Sequence, residues 1–259
     1  MSDSFTEKKS RLRAEALKSG VPSGEVERWL HLLRPCAALD PRNDGGLVGR
    51  YGGLPILPVS APRPELWKYF VASVDCAAVP GGVTDLPLPS DGRLLFFAIP
   101  DLTIHGCYLP SEVVYVPAGT AVAELSADDE DGDGQWPLPR MDLRLGSEFS
   151  LPQEMEVEDP DHDLPAGFPH SKLLYELWCD IDVDEAAGGM FQLGGYAASW
   201  NNDPVELEPA EEDWVLLAQW YALDDVEELD LGIVHWVIRR TDLAERRFDR
   251  VKASADMVG

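Results

Sequence analysis

The stretch "SADDEDGDGQWPLPR", residues 126 to 140, sets Asp129, Asp131 and Asp133 at alternate positions with Gly134 behind them. A calcium-binding loop begins this way. Such a loop completes its ligand set with a bidentate Glu at the twelfth position, and counting from Asp129 that position holds Arg140. A cation there repels calcium, Pro137 and Pro139 stiffen the exit, and the preceding "TAVAEL" has the texture of a strand and not of an entering helix. The stretch reads as a solvated acidic loop, with Asp129, Asp131 and Asp133 as the candidate ligands of any metal.

Two further constellations invite the same scrutiny. "CDIDVDE" places Asp180, Asp182 and Asp184 at period two, so on a strand the three carboxylates share one face. No Gly-Lys-Ser/Thr phosphate loop accompanies them, and the expectation is a strand end running into a turn at "EAAGG". His162 and His170, near Asp161 and Asp163, have the donor types of a transition-metal site, but a loop between them leaves their geometry unset. His31 and His105 read as ordinary single histidines, and His235, between Val234 and Trp236, as a cross-strand partner.

No G-x-S-x-G elbow, H-E-x-x-H pair, G-x-G-x-x-G turn or P-loop occurs, which removes the commonest hydrolase, zinc-protease, dinucleotide and nucleotide readings. No catalytic residue is assigned and no cofactor is expected. What remains is a polar cluster at Tyr196, Trp200, Asn201, Asn202 and Asp203, close to the glycines at 194 and 195, with Gly52 and Gly53 as its counterpart in the first half. These are the candidate ligand or partner contacts, because Gly-Pro loops such as "GGLPILP" offer backbone amides to a ligand. Turn geometry calls for the same residues without one.

The elements that must position these residues are legible from periodicity. Ser4 and Glu7 have capping-box spacing ahead of Leu12 and Ala16, and Gly20 stops that helix. Ser23 is placed to cap a second, in which Val26, Trp29, Leu30 and Leu33 form a helical stripe. From about residue 45 the texture turns to strands: "LWKYFVASV", "RLLFFAI", "SEVVYVP", "TAVAEL", "DWVLLAQWYAL" and "GIVHWVIRR". "SKLLYELWC" fits helix or strand, and the stretches 126 to 134 and 151 to 169 read as surface loops. The expected architecture is α+β, a largely antiparallel β-sheet built from two related halves, with an N-terminal helical segment at 1–44 packed against a 45–259 domain.

The halves, roughly 45–125 and 170–259, echo each other in order: a glycine pair at 52 or 194, an aromatic-led strand, an acidic turn, a second apolar strand and a closing Asp-Leu. Gly52-Gly53-Leu54-Pro55 with Leu57-Pro58, Gln192-Leu193-Gly194-Gly195-Tyr196, Leu216-Leu217-Ala218-Gln219, and Asp242-Leu243 leading to Arg246-Arg247-Phe248-Asp249 together resemble the YwqG-like family of bacterial proteins, built around a domain of unknown function. The resemblance covers roughly residues 45 to 255. It implies a mixed α+β fold with two related halves, no established reaction or catalytic residues, and a role as an immunity or accessory protein of bacterial toxin systems. The family tends to put Pro after Gly-Gly-Tyr and Trp-Pro after the first glycine motif, whereas here Ala197 and Ala198 follow Tyr196, and Pro62-Arg63-Pro64 stands near the first.

Charge sets the partner class. Forty-seven acidic against 21 basic residues give a formal charge of −26, which repels nucleic acid and anionic lipid and favours a basic protein partner. Cys36, Cys76, Cys107 and Cys179 are widely spaced and read as reduced, mostly buried thiols, and no apolar run reaches membrane length, so the expected location is cytoplasmic. The function this points to is a non-catalytic acidic binding protein; a small-ligand binder or enzyme with its site between the halves is the alternative. A calcium titration is expected to leave the melting temperature unchanged, and a calcium-dependent rise would restore the metal reading of Asp129, Asp131 and Asp133.

Overall fold

A computed structural model describes residues 2–99, 109–125, 137–156, 164–181, 189–199, 201, 203–222 and 232–256. Helices α1 (Ser2–Lys18) and α2 (Ser23–Leu32) open the chain. The helical stripe behaves as the spacing predicts, with Val26, Trp29 and Leu30 buried, but both expected caps are displaced. Ser4 lies inside α1, and Pro22, not Ser23, stands at the N-cap of α2, where its fixed φ of −59° suits the approach.

Helix ends at Leu32, so the helical segment expected to reach residue 44 is shorter. Arg34–Asp40 is instead a strand, β1, and it lies at the middle of the main sheet. The remaining strands are β2 (Leu47–Tyr51), β3 (Ile56–Pro58), β4 (Phe70–Asp75), β5 (Arg93–Ala98), β6 (Ser111–Val116), β7 (Val122–Glu124), β8 (Met141–Ser150), β9 (Phe191–Leu193), β10 (Trp214–Tyr221), β11 (Ile233–Arg239) and β12 (Lys252–Asp256). Residues 67–69, expected as strand, form a 3-10 turn leading into β4. "SKLLYELWC" is helical, within α3 (Ser171–Ile181), so Asp180 sits on a helix and not on a strand. Asp182 and Asp184 lie outside the described residues, as do Asp129, Asp131, Asp133, His105, Cys107 and His162.

Ten strands form one antiparallel sheet in the order β12-β11-β10-β9-β1-β8-β2-β4-β5-β6, and β3 pairs with β7 in a separate ribbon. The fold is α+β with a mainly antiparallel sheet. This sheet curls until its edges approach: Leu109 N–H, just before β6, donates to Ala253 O on β12 at 2.7 Å. Inside the curl, Phe96 of β5 packs edge-on against Phe191 of β9 and Trp236 of β11, with centroids 5.0 and 5.4 Å away. A second core joins α1, α2 and α3 through Leu12, Trp29, Leu174 and Trp178 on the outside of the sheet. Its clasp is buried Glu25 of α2, whose carboxylate accepts the His170 backbone N–H and meets His170 Nδ1, each at 2.8 Å.

The strand order is palindromic about the β1-β8 pair, and two three-strand ladders repeat one geometry. Tyr51 pairs with Ala72, which pairs with Phe96; Leu193 pairs with Ala218, which pairs with Trp236. Each ladder has a one-residue bulge at the matching place, Val71 in β4 and Leu217 in β10. The glycine pair after the first strand donates to that bulge: Gly52 N–H to Val71 O at 2.8 Å, Gly194 N–H to Leu217 O at 3.3 Å. All four glycines have positive φ, between 57° and 74°.

That geometry leaves no room for a side chain. A Cβ on Gly52 would stand 2.3 Å from Pro139 O, and one on Gly194 would stand 2.1 Å from Thr84 Oγ1. Gly52→Ala and Gly194→Ala are therefore expected to cost at least about 2 kcal/mol each, a melting-temperature drop of roughly 5 °C or more. Gly81→Ala, at a position with nothing within 4 Å, is the neutral control. A drop for Gly52 or Gly194 no larger than that for Gly81 in differential scanning calorimetry would remove the glycine-turn argument.

Candidate functional site

A row of polar side chains crosses the outer face of the second ladder. Gln192 on β9, Gln219 on β10, His235 on β11 and Ser254 on β12 are register partners in sequence across four strands. Their neighbours Phe191, Leu193, Ala218, Trp220, Val234 and Trp236 face the core, so alternation turns this row outward. Gln192, Gln219 and His235 are nonetheless buried, because the chain after β9 folds back over them.

The row holds that chain by its backbone. Gln192 Nε2 donates to Gly194 O at 2.8 Å and Tyr196 O at 3.1 Å, while Gln219 Oε1 accepts Ala198 N–H at 2.9 Å. His235 Nε2 donates to Ala198 O at 2.7 Å, and Gln219 Nε2 links back to Gln192 Oε1 at 3.2 Å. Gly195 N–H meets Asp85 Oδ1, Tyr196 N–H meets Ser150 Oγ, and Asn201 is gripped twice by Asp256. A buried polar network so fully satisfied makes the segment rigid.

What the segment presents is Tyr196. Its half-buried ring is covered on one face by the Arg34 guanidinium, 4.1 Å from the centroid. Burial pushes the Tyr196 hydroxyl above its ordinary range; Arg34 opposes the shift, and Asp85, Glu154 and Asp203 add to it. Nearby Tyr221 is likewise raised by burial, with Glu156, Cys36 and Glu148 contributing. Burial also lifts the Asp203 carboxyl above the usual range, opposed by the Val205 N–H that it accepts at 2.8 Å.

Of the expected contact residues, then, Tyr196 and Asp203 stand within electrostatic reach of each other, and Asn201 is engaged with Asp256. Trp200 and Asn202 lie outside the described residues. Gly52 and Gly53 are elsewhere. Tyr51 is level with Met141 on β8, whereas Leu193 is level with Ala37 and hence Ser147, six residues or about 20 Å along the strands. The two glycine motifs sit toward opposite ends of the sheet and do not frame one ligand together. Sequence reading missed Arg34, Ser150 and Asp85, which come from three distant segments. A signal did exist for Gln192 and Gln219: each is a lone amide inside an apolar strand run.

A family model for a domain of unknown function (DUF1963) matches residues 49–256. The chain belongs to the DUF1963 family. A comparison with curated proteins finds no match. The DUF1963 match takes in both ladders and the polar row, and it leaves α1, α2 and the central strand β1 outside its bounds. Arg34, at the start of β1, is thus supplied to the Tyr196 site by residues beyond the family match.

Among the described residues no group of three His, Cys, Asp or Glu side chains is placed to hold a metal. Cys36 and Cys76 are buried thiols, as expected for most of the four, burial pushes Cys76 up to about 12, and Cys179 is exposed. No helix among the described residues is long and apolar enough to cross a membrane.

Burial lowers the His235 imidazole to about 4 from an ordinary 6.5, against the Ala198 carbonyl, which favours the charged form. Between these values the unfolded chain takes up a proton that the folded one refuses, so stability falls as pH drops through that window. The loss attributable to His235 approaches about 3 kcal/mol at the acid end. Urea midpoints at pH 7 and pH 4.5 are expected to differ less in His235→Gln than in the wild type. Equal pH dependence in the two would show that His235 is not the group concerned.

Proposed function

We propose that this protein is a non-catalytic binding module, one that holds a basic protein partner against the acidic surroundings of Tyr196. The reading is supported by one observation. Carboxylates of Asp85, Glu148, Glu154, Glu156 and Asp203 gather around Tyr196 and Tyr221, while several basic side chains elsewhere are paired within the molecule. Arg42 binds Asp40 at 2.8 Å, Arg239 binds Glu212 at 2.6 Å, Arg247 binds Asp242 at 2.5 Å and Lys252 binds Glu208 at 2.6 Å. The surplus of negative charge, −26 over the chain, steers a cationic partner from a distance, and the rigid Tyr196 edge supplies the close contact.

The resemblance to YwqG-like proteins extends this proposal to a bacterial, cytoplasmic protein that serves as an immunity or accessory factor for a basic toxin. The matched register, bulges and glycine pairs of the two ladders favour descent from a duplicated half. A second reading has one observation in its favour: Asp203 is half-buried with its carboxyl raised, beside a tyrosine, as in sites that bind small ligands or move a proton. In that case Asp203→Ala and Tyr196→Ala would abolish ligand-induced stabilisation and leave the ligand-free melting temperature alone.

Affinity capture from the native cells at 50 mM and 500 mM salt, read by mass spectrometry, decides between the two. A basic protein retained at low salt and released at high salt is the expected outcome, with association rate falling at least about tenfold over that range. Retention that ignores salt, or an empty eluate, overturns the basic-partner reading.

A further inference from the structure

The curled sheet does not close completely. Between β6 and the connection that follows α4 (Arg240–Ala244) runs a groove of about 520 Å³, within the size range of ligand sites. Five consecutive residues, 111–115, form one wall and residues 246–251 form the other. On β6, Val113 and Tyr115 pack toward the main core and Val114 and Val116 toward a separate outer cluster. Side chains of both faces line the groove, so its floor is the outer edge of β6, the last strand in the ten-strand order.

The far wall is held in place by an unusual backbone. Arg246 has a φ of 58°, one of two non-glycine residues with positive φ among those described. Arg246 N–H donates to Leu243 O and Arg247 N–H to Asp242 O, the paired bonds of a helix end that glycine ordinarily occupies. A side chain there costs about 1 kcal/mol, and this one is fixed at its far end. Arg246 Nη1 donates to Tyr115 Oη at 3.0 Å and lies 4.0 Å from Asp91, while Tyr115 stacks on Phe248 at 5.8 Å and 29°. Arg246 is turned toward Tyr115 and Asp91, and the carboxylates on the groove are Glu112 and Asp249, the latter 3.6 Å from Arg250 Nε.

We propose that this groove takes a short extended peptide segment carrying a basic residue, laid along the edge of β6. The proposal rests on the basic-partner reading above and gives that partner a second, separate contact. Leu109 bonded to Ala253 closes one end and the Tyr115-Phe248 stack closes the other, which leaves about four residues of strand edge for an occupant. Val113, Val114 and Val251 suit apolar side chains, and Glu112 and Asp249 suit a Lys or Arg. Glu112 is held ready, since its Oε2 accepts Leu66 N–H at 2.7 Å.

The test uses a fluorescein-labelled hexapeptide of alternating valine and lysine, titrated by anisotropy against the whole protein, with polylysine as a sequence-free cation. Glu112→Gln with Asp249→Asn removes charge and keeps shape, and it is expected to weaken hexapeptide binding about tenfold. Ser111→Trp fills the groove and is expected to abolish binding; melting temperatures confirm that each variant folds. Hexapeptide binding equal in wild type and groove variants overturns the groove proposal and leaves the acidic-surface reading standing. So does polylysine binding without hexapeptide binding. Failure of both probes to bind the wild type overturns the two together.

Discussion

The contact of Phe96 with Phe191 and Trp236 is the interaction on which the rest of the molecule depends. These rings come from β5, β9 and β11, on opposite flanks of the β1-β8 pair, so they meet only if a ten-strand antiparallel sheet curls back on itself. Each ring removes on the order of 150–250 Å² from water, and edge-on contacts add about 0.5–1.5 kcal/mol apiece. Sheet twist supplies the direction of curl, and bulges such as those at Val71 and Leu217 add to the local twist. The seam follows directly: a sheet curled this far brings β6 to within one backbone bond of β12 without pairing them along their length.

Identical ladder geometry does not give identical chemistry. At the position where the second ladder has Gln192, the first has Arg50; where it has Gln219, the first has Ser73; where it has His235, the first has Leu95. Both strand-borne donors do the same mechanical job. Gln192 binds Tyr196 O and Arg50 binds Leu54 O, in each case the residue directly after the positive-φ pair. Arg50 then spends its charge on Glu124 of β7 at 2.8 Å, so that the ribbon β3-β7 covers the first ladder. The amides of the second ladder have no charge to neutralise, and they fix a chain whose exposed edge is Tyr196. The first ladder is covered by the ribbon, and the second holds the Tyr196 segment in place.

Helices α1 and α2 add to α3 a layer that the family match does not include. Their core is separate from the interior of the sheet, joined by Phe149 of β8 against Trp178 of α3, 6.0 Å between centroids. Packing of α1 and α2 on α3 fixes where the chain enters β1, and through it where Arg34 meets the ring of Tyr196. A charge from one end of the chain thereby tunes a site built mostly by the other.

By itself the sequence determined the class of fold, the helical stripe of α2, six of the twelve strands among the described residues, the glycine pairs and the charge, because each rests on local periodicity, on backbone conformation or on simple counting. It did not reveal β1 or β8, the central pair. β1 is short and rich in Ala and Cys next to a helix, β8 alternates apolar with charged residues around Gly146, and neither has the β-branched run that marks a strand. The two glycine motifs stand as counterparts in the sequence, yet the structure does not bring them together. Antiparallel pairing of β1 with β8 turns the second half around and sends those motifs to opposite ends. Only the tertiary structure decided the company of Tyr196 and the walls of the seam groove. Both are assembled from segments tens to hundreds of residues apart, and a side chain's neighbours across a curled sheet depend on register and closure, which no local pattern encodes.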